Sequence, residues 1–119
     1  MNPRKQAYLD GLKAENADFM AKNKVLITYP RDWNNKKVGV IVAFVIHDTI
    51  QIGWSRCNTT GNPVNHTHGD TFNKTIGLHR ALFQAEPYNA MSTYPWSFEE
   101  DIHYMIDRAR VYFKQAKAE

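Results

Sequence analysis

The segment VGVIVAFVI-HD-TIQIGWSRC, residues 38–57, constrains the fold of this chain more than any other. Two runs rich in β-branched and aromatic residues flank His47 and Asp48. Two intervening residues is the spacing of a tight β-hairpin, although His-Asp is a weaker turn pair than Asn-Gly. In the second run Ile50, Ile52 and Trp54 share one face, while Gln51, Gly53 and Ser55 share the other. The first run is apolar throughout, which predicts a central strand covered on both faces at least in part.

The flanking sequence reads as helix before the hairpin and helices after it. Asn2 caps and Pro3 opens a helix running to about Lys22, with Tyr8, Leu9, Leu12, Phe19 and Met20 on one side. Asn23 is its expected stop, through the left-handed conformation that Asn tolerates. KVLITYP reads as a short strand ending at Pro30, and RDWNNKK as a polar loop around Trp33. NTTGNPVNHTHGD is a loop by composition. A helix then starts near Asp70 or Thr71, either of which can cap it, and stops before Pro87. Its expected buried residues are Phe72, Ile76, Leu82 and Phe83, with close backbone packing at Gly77. YNAMSTYPW reads as a connection. The last helix opens with SFEE, where Ser97 and Glu100 have the spacing of a capping box. Phe98, Ile102, Met105, Ile106, Ala109, Phe113 and Ala116 form its apolar stripe.

Helix, then strands, then helices predicts an α+β fold. The expectation is a small antiparallel sheet built on a central β-hairpin, packed by an N-terminal helix and two C-terminal helices, with the helices on one face. At 119 residues, 43% of them hydrophobic, the chain is expected to form a single α+β domain over residues 1–119. Fifteen aromatic residues (13%) argue against a disordered chain. The longest apolar run, Val38 to Ile46, is too short to span a membrane, and the N-terminus lacks the apolar stretch of a signal peptide. The expected setting is therefore cytoplasmic, with no membrane partner. One cysteine, Cys57, excludes an intrachain disulfide. A net charge of +3 favours anionic partners, without the long Lys/Arg run of a nucleic-acid arm.

Several constellations carry chemistry. HTHGD places His66, His68 and Asp70 at alternate positions and resembles the H-x-H-x-D core of binuclear metallohydrolases of the β-lactamase type. Thr71 stands where that core continues with histidine, and the chain is too short for that fold. A simpler zinc site would use Cys57, His66 and His68 with His47 or Asp70, but Cys57 lacks a partner cysteine. These are weak metal candidates beside the reading of a solvated loop, and no cofactor is expected. Cys57 ends a core strand and reads as a packing residue rather than a nucleophile. Glu99, Glu100 and Asp101 suit a helix start, and Asp107 can reach Arg110 or Lys114, so no acid/base pair emerges. The helix start at Asp70–Lys74 presents backbone amides and a positive dipole end to an anion. Lys74 lies in that turn and Arg56 ends the incoming strand. Tyr104 with Arg108 on the last helix suits base stacking or a surface cation–π pair between the two, and with Arg80 and His79 on the middle helix suits nucleotide or single-strand binding. The rival for each is an ordinary solvated helix face.

The order G-W-S-x-C, a variable loop, then D-x-F-N-K-x-x-G-L resembles a pattern recurring in small tailed-bacteriophage proteins of uncharacterised function. The matching positions are Gly53, Trp54, Ser55, Cys57, Asp70, Phe72, Asn73, Lys74, Gly77 and Arg80, within residues 38–85. The resemblance implies a phage accessory protein acting in the host cytoplasm, and supplies no catalytic residues. The expected function is non-enzymatic: countering host defence, or modulating the host, by binding an anionic, nucleotide-like ligand. The expected ligand-binding set is Arg56, Asp70, Asn73, Lys74, Arg80, Tyr104 and Arg108. A nucleic-acid-binding protein and a protein–protein inhibitor of a host enzyme, using Trp33, Tyr94 or Trp96, are the alternatives. A homo-oligomer fits any of these.

Overall fold

The computed structural model describes residues 2–57, 72–91 and 93–113. The hairpin stands at its centre. β2 (Gly39–Ile46) pairs antiparallel with β3 (Thr49–Arg56), with Ile46 opposite Thr49 and Gly39 opposite Arg56. His47 and Asp48 both adopt left-handed backbone, φ 51° and 62°. Two such residues make the primed turn whose twist matches the strands, so the weaker turn pair still serves. β1 (Leu26–Thr28) adds to the free side of β2. β4, only Glu86–Pro87, adds to the free side of β3, which sequence patterning did not foresee. Proline suits that edge because it lacks the donor a further strand would need.

The helices are α1 (Pro3–Lys22), α2 (Lys74–Phe83) and α3 (Glu99–Tyr112), with 3-10 turns at Tyr88–Ala90 and Trp96–Phe98. The expected α+β architecture is therefore present: a four-stranded antiparallel sheet in the order β1-β2-β3-β4, one N-terminal helix and two C-terminal helices. Among the described residues no helix is long and apolar enough to cross a membrane.

The helices do not share one face, which corrects the expectation. Ile41, Ala43, Ile50 and Ile52 pack with Phe98, Ile102, Met105 and Ala109 on the α3 side. Val40, Val42 and Phe44 pack with Leu78, Ala81 and Leu82 of α2 on the other. The cause lies in β2, whose successive residues are all apolar and need cover on both sides. Val40 through Phe44 are all at most 3% exposed. α2 lies close on its face because Gly53 and Gly77 carry no Cβ. One added at Gly77 would stand 3.1 Å from Val40 and 3.2 Å from the Ser55 hydroxyl, so the expected close packing there is observed.

α1 is capped by Asn2, whose side chain accepts from the Arg4 amide at 2.8 Å. It ends at Asn23 as expected, but in extended backbone at φ −135°, with the Asn23 side chain donating to the Phe19 carbonyl at 3.1 Å. Its apolar side is only partly covered, with Tyr8 56% and Met20 38% exposed. α1 leans mainly on α2 rather than on the sheet. Phe19 meets Phe44 and Phe83 edge-on at 4.9 and 5.5 Å, and buried Asn16 donates to the Thr75 carbonyl at 3.2 Å. Phe83, expected inside, is 51% exposed because it sits at this helix–helix seam, not over the sheet.

Two expected caps are displaced. α2 begins at Lys74 with Asn73 as its cap, later than Asp70 or Thr71, and the Asn73 side chain accepts from the Ile76 amide at 3.0 Å. α3 begins at Glu99 after a 3-10 turn, with Phe98 at the cap position and no side-chain cap bond. The Ser97–Glu100 box is not formed. Phe98 is 1% exposed, and burying it turns Ser97 outward into solvent.

Candidate functional site

One end of the sheet gathers cations around an aromatic ring. β1 runs out at Thr28, and Tyr29 and Pro30 lead into the loop toward β2. The Val38 amide returns to the Pro30 carbonyl at 2.9 Å, and Arg31 and Lys37 pair as an isolated bridge. Tyr29 thereby lies beside Lys37, whose Nζ stands 4.6 Å from the ring centroid. The start of α2 brings Lys74 Nζ to 5.5 Å from the same ring. Phe72 meets Tyr29 edge-on at 6.3 Å and fixes the ring. The positive end of the α2 dipole opens at the same place. Each cation over an aromatic face contributes ~0.5–1 kcal/mol at an exposed site.

The loop beside this ring is tightly built. The Asp32 carboxylate accepts from the amides of Asn34 and Lys36 at 2.9 and 3.0 Å. The Asp32 amide donates to the Lys36 carbonyl, and the Asn35 amide to the Asp32 carbonyl, both at 2.9 Å. Asn35 takes the left-handed conformation at φ 64°, and Arg31 Nη1 donates to its carbonyl at 3.0 Å. These bonds hold Trp33 at the tip, 92% exposed. A large aromatic held in water on an ordered loop gains nothing for the fold, and is the kind of side chain a partner or ligand covers.

Of the seven residues expected to bind ligand, the six that are described do not converge. Lys74 is at the basic end. Asn73 is beside it, but its side-chain oxygen serves the helix cap. Arg56 ends β3 exposed, and strand alternation places it with Ile50, Ile52 and Trp54, on the α3 face away from Lys74. Arg80 is exposed near the end of α2. Tyr104 and Arg108 are exposed on α3, beyond the sheet from α2. The expected Tyr104–Arg108 cation–π pair is not formed; among the described residues such pairs occur at Tyr29 and Tyr88. Asp70, His66 and His68 lie outside the described residues. Cys57 is half-buried just beyond β3, its amide donating to the Val38 carbonyl at 2.8 Å. Among the described residues no three His, Cys, Asp or Glu side chains are grouped to hold a metal ion.

The G-W-S-x-C and F-N-K-x-x-G positions turn out to be mostly structural. Gly53 and Gly77 admit α2, Asn73 caps it, Phe72 seats against Tyr29, and Trp54 Nε1 donates to the Thr93 carbonyl at 3.2 Å. Lys74 is the one that turns toward the basic end. Sequence reasoning missed Tyr29, Arg31 and Lys37. Their signal, an aromatic and three basic residues bracketing Trp33, was present in TYPRDWNNKK, but its meaning depends on a cross-strand pairing. It also missed Tyr88, whose hydroxyl accepts from Arg110 at 3.2 Å; that bond and the charge interaction with Tyr88 raise the Arg110 pKa above its ordinary value. No protein-family model matches the chain, and no curated protein or solved structure matches it either.

Proposed function

We propose that this protein binds a nucleotide-like anion at the basic end of the sheet, without chemistry, as a phage accessory protein that modulates its host. The observation that supports this most is the Tyr29 ring with Lys37 at 4.6 Å and Lys74 at 5.5 Å. Two ammonium groups at one ring, beside a helix N-terminus, offer donors to a phosphate. Trp33, held nearby by the Asp32-centred loop, offers a base a stacking surface worth ~1–3 kcal/mol. Arg31 and Lys36 flank it. The net charge of +3 agrees with an anionic partner. The phage role itself rests on the sequence resemblance and on this binding chemistry together.

A thermal-shift panel of mono- and dinucleotides, with inorganic phosphate as control, tests the reading. A nucleotide raises Tm more than phosphate does, and Lys74→Ala removes the gain. No response to any anion overturns it. A second reading follows from Trp33 and Trp96, which are 92% and 87% exposed. Exposed tryptophans are characteristic anchors of protein interfaces, which suits an inhibitor of a host enzyme. Under that reading Trp33→Ala abolishes capture of the host enzyme while the lysine variants retain it.

A further inference from the structure

The opposite face of the molecule carries a separate concavity between α3 and the chain that follows β4. It has a volume of about 320 Å³, at the small end of the range for ligand sites. Ile102 and Ile106 of α3 line it on one side, and Met91 and Tyr94 on the other. Tyr94 belongs to a segment pinned to the sheet at its neighbour, since the Thr93 carbonyl accepts from Trp54 Nε1 at 3.2 Å. The apolar walls are therefore held on both sides before any ligand arrives.

Its mouth is polar, lined by Asp107, Arg110 and His103. Asp107 and Arg110, one helical turn apart, stand 4.0 Å from each other. The Arg110 guanidinium also meets Tyr88. It donates to the Tyr88 hydroxyl at 3.2 Å and lies 5.4 Å from the Tyr88 ring centroid. One donor fork and one carboxylate acceptor thus sit side by side at the rim of an apolar slot. A phosphate would meet Asp107 and gain little here, unlike at the basic end.

We propose that this groove is a second ligand site, for a neutral planar heterocycle whose edge carries adjacent donor and acceptor groups, with guanine the fullest match. The ring occupies the slot between Tyr94, Met91 and the α3 isoleucines. The Asp107 carboxylate accepts from the paired N–H groups on one edge of the base. The Arg110 guanidinium donates to the carbonyl oxygen beside them. Adenine presents no such sequence of donor, donor and acceptor, and uracil offers only one donor. The site does not depend on the basic end, which is built from other residues on other elements.

The test uses nucleosides, which carry no phosphate and so do not engage the basic end. Guanosine, inosine, adenosine and uridine are titrated into the full chain, following α3 amide resonances. Guanosine shifts the resonances of residues 102–110 and binds at least ~10-fold more tightly than adenosine. Asp107→Asn removes that preference. Met91→Trp, which fills the slot, abolishes binding while its melting curve confirms folding. Equal affinity for guanosine and adenosine, shifts confined to residues outside the groove, or no binding of any nucleoside overturns the proposal. Preferential binding of free aromatic amino acids, which would also use a cation and an anion at the mouth, overturns it too.

Discussion

A side chain at position 53 would collide with the carbonyl oxygen of Ala81: a Cβ built on Gly53 stands 1.8 Å from it. The neighbour is helix backbone, which cannot turn aside as a side chain can. α2 therefore lies on β3 only because residue 53 is glycine. Gly53→Ala is expected to lower stability by ~2–3 kcal/mol, the upper part of the range for overpacking, read as a fall in the urea midpoint with unchanged slope. A change under ~0.5 kcal/mol, the scale of an ordinary surface substitution, would mean that α2 is not seated there.

The displaced caps give a matched pair. Asn73 accepts from the Ile76 amide, whereas α3 has no side-chain cap bond at its start. Asn73→Ala is expected to cost ~1 kcal/mol. Ser97→Ala, which removes a hydroxyl from the box that never forms, is expected to stay within ~0.5 kcal/mol. Equilibrium denaturation of the two variants side by side checks this. The reverse order would restore the capping box.

These two elements also show how far the sequence could be read. The hairpin was legible because its strands and turn are contiguous, and β-branched runs about two residues leave few alternatives. The body of α3 was legible because Ile102, Met105 and Ala109 recur at helical spacing. The starts of α2 and α3 were not, because burial of Phe98 and the seating of Phe72 on Tyr29 decide where each chain enters its helix. Those are tertiary contacts with no local signature. β4 was hidden for the same reason: Glu86–Pro87 is a strand only because β3 has a free edge. At the candidate site, Lys74 was visible as a basic residue at a helix start. Tyr29 and Lys37 were not, since only the Arg31–Lys37 bridge brings them together. Arg56 was misplaced because its proximity in sequence to the loop concealed the alternation that sends it to the other face.

Trp33 separates function from stability. It is 92% exposed and its loop is held by Asp32, not by the indole. Trp33→Ala is expected to change stability by less than ~0.5 kcal/mol. The same variant is expected to weaken binding of a base-bearing ligand by ~1–3 kcal/mol, the cost of one lost stack. Asp32→Ala is expected to do both, loosening the loop and weakening binding, because its carboxylate accepts from two loop amides. Chemical denaturation and titration of the two variants distinguish the roles.

Salt dependence reports what is bound. A short nucleotide held by Lys37 and Lys74 engages few phosphates, so its affinity falls gently as salt rises. A single-stranded polymer following Arg31, Lys36, Lys37 and Lys74 releases more counterions, with a slope in log affinity of about −0.7 for each phosphate contacted. A slope near −1 from 50 to 200 mM salt is expected for the nucleotide, and about −3 for the polymer, on that same scale. Fluorescence titration with a dinucleotide and with a homopolymer of the same bases measures both.

The Tyr29 cluster is the centre of this account, and calorimetric titration of an adenine dinucleotide carrying a terminal phosphate, which the α3 groove does not favour, tests it most directly. The wild-type chain, Lys37→Ala, Lys74→Ala and the double variant are compared at one low salt concentration. Charge-assisted bonds of ~1.5–3 kcal/mol each predict a loss of roughly tenfold or more for each lysine and near-complete loss in the double variant, with all four proteins equally folded. Binding that is unchanged in the double variant, or absent in the wild type, would contradict it.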